Sequence, residues 1–317
     1  MTLHPASAEL FGDAPAGARS SVIEAADGIG LRFAHFPAQG TARGAVLLAQ
    51  GRTEYIEKAY EWIVAFQARG FHVGAFDFRG QGMSQRLLPN RRAGYVTDFN
   101  QFQHDYDAAY QAFRGVVGEG PLIVVGHSMG GLATARFASR RQSEISGVIL
   151  SAPMLGLGLS PVMTWAAYIV SNLASLSGFG ARYAQGCDDR SGPERGFEGN
   201  VLTHDPVRFA RHEALLAQYP DLTLGGTTYA WLRAGFREMS GVARLPDNWW
   251  KIPGLVASAG EDTVVSNAAI EAFATANAQV EHVHLAGSRH EPLMEVDAVQ
   301  TVLWSAIDAF LERVVAV

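Results

Sequence analysis

Short apolar runs recur along the chain at Ala45 to Ala49, Phe71 to Phe76, Leu122 to Val125, Val148 to Leu150, Leu255 to Ser258 and His282 to Leu285. Each is too short for a helix and has the length and composition of a strand. Between them the apolar positions change to helical spacing. Ala59, Trp62, Ile63 and Phe66 recur before Gly70, and Phe99, Phe102, Tyr106, Ala109 and Phe113 before Gly115. Strands that alternate with helices predict a mostly parallel sheet. Further upstream, Val22 to Phe36 carries apolar residues on both sides of Asp27-Gly28, which predicts an antiparallel hairpin at the start of the sheet. Right-handed crossovers then put helices on both faces and bring every parallel strand's carboxyl end to one rim, where ligands bind.

One interval breaks the alternation. From about Met154 to Asp247 there is no strand-like run, but there are several helical stretches with many Gly and Pro residues. Asp205-Pro206 reads there as a helix cap followed by proline at the first helical position, leading into a helix over Val207 to Gln218. The expected organisation is an α/β core formed by residues 1–153 and 248–317, with about eight strands, and a helical cap inserted as residues 154–247. A length of 317 residues fits one main core with an insertion better than two equal domains.

Composition narrows the picture further. With 48% apolar and 18% charged residues the chain has the material for a buried core. A net charge of −6 without a Lys/Arg run gives nucleic acid no electrostatic footprint. The single cysteine, Cys187, can form no internal disulfide and has no second Cys with which to hold zinc. Met1 to Ala18 lacks a basic stretch followed by an apolar one and does not read as a secretory signal, so a cytoplasmic location is expected. The most apolar stretch, Leu155 to Leu176, is interrupted by Gly156, Gly158 and Pro161 and is a poor membrane span; it is expected to be a buried or lipid-facing amphipathic element. Peripheral contact with the inner face of the membrane is a further expectation.

The chemistry concentrates at the predicted strand ends. Leu122 to Gly131 reads LIVVGHSMGG, a buried strand that turns through Gly126-His127-Ser128-Met129-Gly130 into an Ala-rich helix. Such a turn exposes the serine hydroxyl at a helix N-terminus and leaves no room for bulk two residues to either side, where glycines stand. Serine is a weak nucleophile at neutral pH, so it needs a base, and the base needs a carboxylate to fix its tautomer. After an elbow of this kind the acid and then the histidine follow along the chain. Leu255 to Ser258 leads into Ala259-Gly260-Glu261-Asp262-Thr263, where Asp262 is preferred over Glu261, and the last strand leads into Ala286-Gly287-Ser288-Arg289-His290. Of the other histidines, His282 and His284 alternate within a strand, His204 precedes a helix cap, and His127 flanks the nucleophile on its inner side. Acyl transfer also needs two donors for the developing oxyanion: the backbone N–H of Met129 and that of Arg52 in the loop Gln50-Gly51-Arg52-Thr53-Glu54. The Arg52 side chain is expected to be a solvated or ion-paired surface group. Glu54 and Lys58, four apart, read as a helix ion pair.

These residues resemble the α/β-hydrolase superfamily and, within it, the monoacylglycerol lipase and bacterial lysophospholipase branch. The resemblance rests on QGRTEYIEKAY at Gln50 to Tyr60, DFRGQGMSQR at Asp77 to Arg86, GHSMGG at Gly126 to Gly131, SAPMLGL at Ser151 to Leu157, NVLTHDPVR and LGGTTYAWL in the cap, GEDTVV around Glu261 and SRHEPLMEVD at Ser288 to Asp297. It implies that Ser128 attacks the ester of a mono-acylated lipid and forms an acyl-enzyme that water cleaves, with no cofactor or metal. One departure is the loop that commonly begins His-Gly in monoacylglycerol lipases and here begins Gln50-Gly51. A backbone donor survives that exchange, whereas head-group preference can change with it. Gly51, Leu155, Leu157 and Trp165 are the expected substrate contacts, with Met154, Val162, Tyr168 and Leu173 as further candidates for an acyl pocket or for plain helix packing. Serine at position 128 disfavours the uses of this fold that need aspartate there. Carbon–carbon bond hydrolases and cofactor-free perhydrolases would keep the same three residues, and a non-catalytic ligand-binding protein is the alternative from another class.

Overall fold

The computed structural model describes residues 4–315; residues 1–3, part of the opening segment read above for a secretory signal, lie outside that range. The chain opens with β1 (Arg19–Glu24) and β2 (Gly30–Phe36), the predicted hairpin about Asp27-Gly28. The parallel strands follow as β3 (Gly44–Ala49), β4 (Phe71–Phe76), β5 (Leu122–His127), β6 (Gly147–Ser151), β7 (Gly254–Ala259) and β8 (Val280–Leu285). They form one sheet in the order β1-β2-β4-β3-β5-β6-β7-β8, in which only the pairings of β2 are antiparallel. The middle strands β5, β6 and β7 are buried throughout, as a parallel sheet covered on both faces requires, and the edges β1 and β8 are largely open.

Side-chain alternation divides the interior in two. Leu47, Phe76 and Val124 point into a cluster with Tyr106, Phe113 and Phe137 from α2 (Asn100–Val117) and α3 (Ser128–Arg140). Val46, Leu48, Ile123 and Val125 point the other way, onto Trp62 and Phe66 of α1 (Tyr60–Ala68) and Leu303, Ile307 and Phe310 of α8 (Asp297–Val315). Several boundaries differ from the sequence reading by one or two residues, two of them for identifiable reasons. The α2 helix runs past the exposed Gly115 and is closed by Gly118 at φ 71°, and β8 begins at Val280 because its first residues, on an open edge, do not form an apolar run.

Residues 152–253, between β6 and β7, contain α4 (Pro161–Ala174), α5 (Pro206–Gln218) and α6 (Tyr229–Val242) and only isolated bridge pairs. The α7 helix (Asn267–Ala276) follows β7. Asp205 caps α5 by accepting from the amides of Val207 and Arg208, ahead of Pro206 at the first helical position. The apolar stretch over α4 is not buried: Val162, Met163, Trp165 and Leu173 are each more than half exposed. One side of α4 lies on α6, through Tyr168 against Phe236 and Arg233 bonded to Asn172. Among the described residues no helix is long and apolar enough to cross a membrane.

A buried charge cluster holds the loops beneath the rim. Arg32 on β2 bonds both oxygens of Glu57 at 2.6 and 2.7 Å and Asp77 Oδ2 at 2.7 Å. Asp77 in turn accepts from the amides of Ile56 and Met83, so the loop that follows β3 is fastened to the end of β4. Removing one member of such a set leaves uncompensated charge in the interior. Arg32→Met should therefore cost about 3–5 kcal/mol in denaturant unfolding; a loss below about 1 kcal/mol would mean that the cluster is solvated and not structural.

Candidate active site

Ser128 is the first residue of α3 and sits at φ 51°, one of few non-glycine residues in the left-handed region. That conformation costs on the order of 1–3 kcal/mol and persists only where the surroundings enforce it. The enforcement is steric. A side-chain carbon at Gly126 would come within 2.3 Å of Thr134 Oγ1, and one at Gly130 within 2.3 Å of the Gln50 carbonyl and 2.4 Å of that of Ala49. The first turn of α3 is thus pressed against the loop after β3, and a side-chain carbon on Gly51 of that loop would lie 3.2 Å from Ser128 Cβ.

His290, in the loop after β8, reaches this turn. Its Nε2 lies 2.9 Å from Ser128 Oγ and its Nδ1 lies 2.8 Å from Asp262 Oδ2. Asp262 follows β7, and its second oxygen accepts from the amides of Val264 and Val265 at 2.8 and 3.0 Å. Burial alone would raise its pKa; the bond and charge of His290 and the two amides outweigh that and hold the carboxyl below its ordinary value. Glu261, the other acid of the loop, turns outward: its side chain is 57% exposed and approaches His204 Nε2 at 3.2 Å. His127 lies under the elbow, with Nδ1 3.0 Å from the Ser151 carbonyl, and His282 and His284 both bond Ser258 Oγ on one face of the sheet edge.

The expected oxyanion amides belong to the two turns that meet here. The Met129 amide belongs to the first turn of α3, where amides have no partner inside the helix. The Arg52 amide is one residue beyond Gly51, whose carbonyl accepts from Gln81 Nε2 and whose N–H donates to Glu54 Oε2. Ser128 and His290 are placed to pass the serine proton to the imidazole. Ser128 and His290 are only 8% and 4% exposed. The β6–β7 insertion closes over them, with the Val201 and Leu202 carbonyls accepting from the amides of His290 and Glu291. A cleft of about 600 Å³ lined by Asp98, Arg136, Tyr168, Arg237 and Trp249 lies apart from this chemistry.

Sequence reasoning missed the group that ties the two loops together. Lys58 Nζ lies 2.9 Å from Glu54 Oε1 and 2.6 Å from Glu291 Oε1, and all three side chains are 4–7% exposed. Glu54 positions Gly51 in the oxyanion loop, while Glu291 follows His290. One ammonium therefore spans the donor loop and the base loop. Glu54, His127 and Glu291 have metal-like proximity, and the cation among those carboxylates is Lys58. Burial would raise the pKa of Glu54, but Lys58, His127 and the Gly51 amide hold it down at about 2; burial would lower that of Lys58, and its two carboxylates raise it instead.

Among the expected substrate contacts, Leu155 is buried, and Leu157 is half-buried in a bridge to Val265. Trp165 is 66% exposed on α4. Arg52 corrects the sequence reading. Its side chain is half-buried and paired with no carboxylate; it donates to the Gly225 carbonyl at 2.6 Å and lies 5.4 Å from the Trp231 ring. The reading fails because those partners come from a distant segment.

Lys58→Met should lose about 3–5 kcal/mol of stability by stranding two carboxylates, and it should lower kcat more than it raises KM. The stabilisation from an ionised Glu54 is complete above its ordinary value of 4.5 and is lost as pH falls towards about 2. Without the ammonium, burial raises the Glu54 pKa in the variant, so the advantage of wild type should be largest near pH 8 and shrink as pH falls; a flat difference down to pH 3 would contradict this.

Comparison with known proteins agrees with the geometry. Residues 40–297 match the family model Hydrolase_4, described as serine aminopeptidase, S33. The chain is 31% identical over 303 residues to lysophospholipase L2 of Escherichia coli (strain K12), covering 90% of this chain and 85% of that protein. It is 26% identical to the probable lysophospholipase L2 of Haemophilus influenzae, covering 86% and 85%. Among solved structures, a soluble variant of monoglyceride lipase from Saccharomyces cerevisiae aligns with a TM-score of 0.69 at 21% identity, covering 93% of this chain and 96% of that one. A carboxyl esterase from Bacillus coagulans aligns with a TM-score of 0.74 at 19% identity, covering 94% and 99%. With the elbow serine under a bridging histidine and a family model spanning most of its length, the chain belongs to the Hydrolase_4 (serine aminopeptidase, S33) family of α/β hydrolases, in the branch of the lysophospholipases and monoacylglycerol lipases, and is a serine carboxylic-ester hydrolase.

Proposed function

We propose that this enzyme cleaves single-chain lipid esters, lysophospholipids or monoacylglycerols, through an acyl-enzyme on Ser128. The observation that carries the proposal is the bridging position of His290, 2.9 Å from the Ser128 hydroxyl and 2.8 Å from the Asp262 carboxylate. Ser128 Oγ attacks the ester carbonyl and passes its proton to His290 Nε2. Asp262 fixes the tautomer with Nδ1–H and stabilises the imidazolium. The Arg52 and Met129 amides stabilise the oxyanion, and as the tetrahedral intermediate collapses His290 protonates the departing alcohol oxygen. Water then repeats the sequence on the acyl-serine, with His290 as base, and releases the fatty acid and free Ser128.

A lipid-like acyl group is supported by the segment that follows β6. From Ser151 to Ala181 it carries no charged side chain, and its first residues touch the site, because the Met154 amide donates to the Ser128 carbonyl. The matched relatives named lysophospholipase or monoacylglycerol lipase point to the same substrates.

Hydrolysis of an acyl-chain series of lysophospholipids, monoacylglycerols and p-nitrophenyl esters tests the reading. Ser128→Ala should lower kcat by roughly 10⁴ to 10⁶ with unchanged unfolding, and Asp262→Asn by on the order of 10⁴, whereas Glu261→Gln should stay near wild type. Near-wild-type turnover in the Asp262 variant, or no cleavage of any lipid ester by the intact enzyme, would contradict it.

A further inference from the structure

Between the insertion and the core lies a cavity of about 390 Å³ that plays no part in the mechanism above. Helix α5 contributes His212 and Leu215 to it, and the stretch after the oxyanion loop contributes Tyr55, Lys58 and Tyr60. Phe11 and Met294 also line it, and the Tyr55 and His212 rings meet there at 5.5 Å. Small molecules bind at boundaries of this kind, in concave apolar surfaces that carry a few polar groups. Here the polar groups are unbonded. Tyr55 is fully buried and His212 is 6% exposed, and Tyr55 Oη, Tyr60 Oη and His212 Nε2 have no hydrogen-bond partner among the described residues. Buried polar atoms are bonded in the great majority of cases, because leaving one unbonded is costly. Three such atoms around one cavity form a set that a bound molecule can satisfy together.

Their chemistry selects the ligand. Burial and the carboxylates of Glu57, Glu54, Glu291 and Asp77 hold the Tyr55 hydroxyl protonated, and burial and Lys58 keep the His212 imidazole neutral. The charged groups nearby are already matched. Glu57 bonds Arg32, Lys58 bonds Glu54 and Glu291, and the exposed Asp13 and Arg211 of the lining have opposite signs. What remains is two phenols and an imidazole, neutral and unbonded, beside Phe11, Leu215 and Met294. An anion or a cation would meet no free counter-charge, whereas a neutral molecule with an apolar body and a hydroxyl group matches the set.

We propose that this cavity is a second ligand site, which takes a neutral alcohol with an aromatic or aliphatic body, and that its occupancy is felt at Ser128 through Lys58. The coupling rests on the reading of Ser128 as the nucleophile; the binding does not. Lys58 lines the cavity, and its ammonium joins the donor loop to the base loop. A ligand that shifts Lys58 therefore acts on the alignment of the catalytic loops, which changes kcat and not KM.

The probe is benzyl alcohol, titrated by ligand-observed NMR beside toluene, which has the same shape without the hydroxyl, and beside benzoate and benzylammonium. Benzyl alcohol should bind saturably in the millimolar range or tighter, and each of the other three more weakly by at least about threefold. Tyr55→Phe and Tyr60→Phe should each weaken it by roughly 3- to 10-fold. Ala214→Trp, at an exposed position of α5 that lines the cavity, should fill the space and abolish binding, with thermal unfolding as the check on the fold. On a p-nitrophenyl ester, saturating benzyl alcohol should change kcat by about twofold or more at constant KM in wild type and leave Ala214→Trp unaffected. Toluene binding as tightly as benzyl alcohol, affinity retained in Ala214→Trp, or no saturable binding below about 50 mM would overturn the site. The same change of kcat in both proteins would place the alcohol at the acyl-enzyme and overturn the coupling. If wild type cleaves no ester, the coupling falls with the reading of Ser128, while the titrations still decide the site.

Discussion

The close approach of two turns organises this site. The first turn of α3 can lie against the loop after β3 only because position 130 carries no side chain, and β5 can turn sharply into α3 only because position 126 carries none; Ser128 sits between them at a positive φ. The same contact places the loop of Gly51 and Arg52 beside the turn of Ser128 and Met129. Without it the serine would be an ordinary helix-capping residue, and His290 would have nothing to deprotonate. The strain at Ser128 is stored in a backbone that the fully buried central strands β5, β6 and β7 make rigid.

Around that contact the charges are arranged so that loops far apart in sequence move as one unit. Arg32, Glu57 and Asp77 fasten the stretch after the oxyanion loop to the end of β4. Lys58 joins Glu54 below the donor loop to Glu291 beside the base. These pairs are buried, so their individual contribution to stability against an apolar replacement is small, but each is expensive to break on one side only. Such a network favours geometric fidelity, which a serine and a base at hydrogen-bond distance require.

Much of this was legible in the sequence, for local reasons. The elbow could be read because its strand, its two glycines and its helix are consecutive. Asp262 and His290 could be read because each lies just past an apolar strand in the order that follows such an elbow. What could not be read depends on contacts between distant segments. Glu54 and Lys58 were recognised as a pair, but Lys58 also bonds Glu291, 233 positions away, and that bond turns a surface pair into a buried brace. Arg52 was expected at the surface because nothing nearby in sequence announces Gly225 or Trp231. An apolar helix likewise does not declare which side meets its neighbour: α4 rests on α6 and leaves Trp165 and much of its apolar surface open.

The central claim is that Ser128 is activated by its contact with His290. Treating the enzyme with a fluorophosphonate and mapping the adduct by peptide mass spectrometry, in wild type and in His290→Ala, tests it most directly. The account predicts stoichiometric labelling of the Ser128 peptide in step with loss of ester hydrolysis, and labelling slowed by orders of magnitude without the imidazole. Hydrolysis that persists after full labelling of Ser128, or labelling as fast in the His290 variant as in wild type, would contradict it.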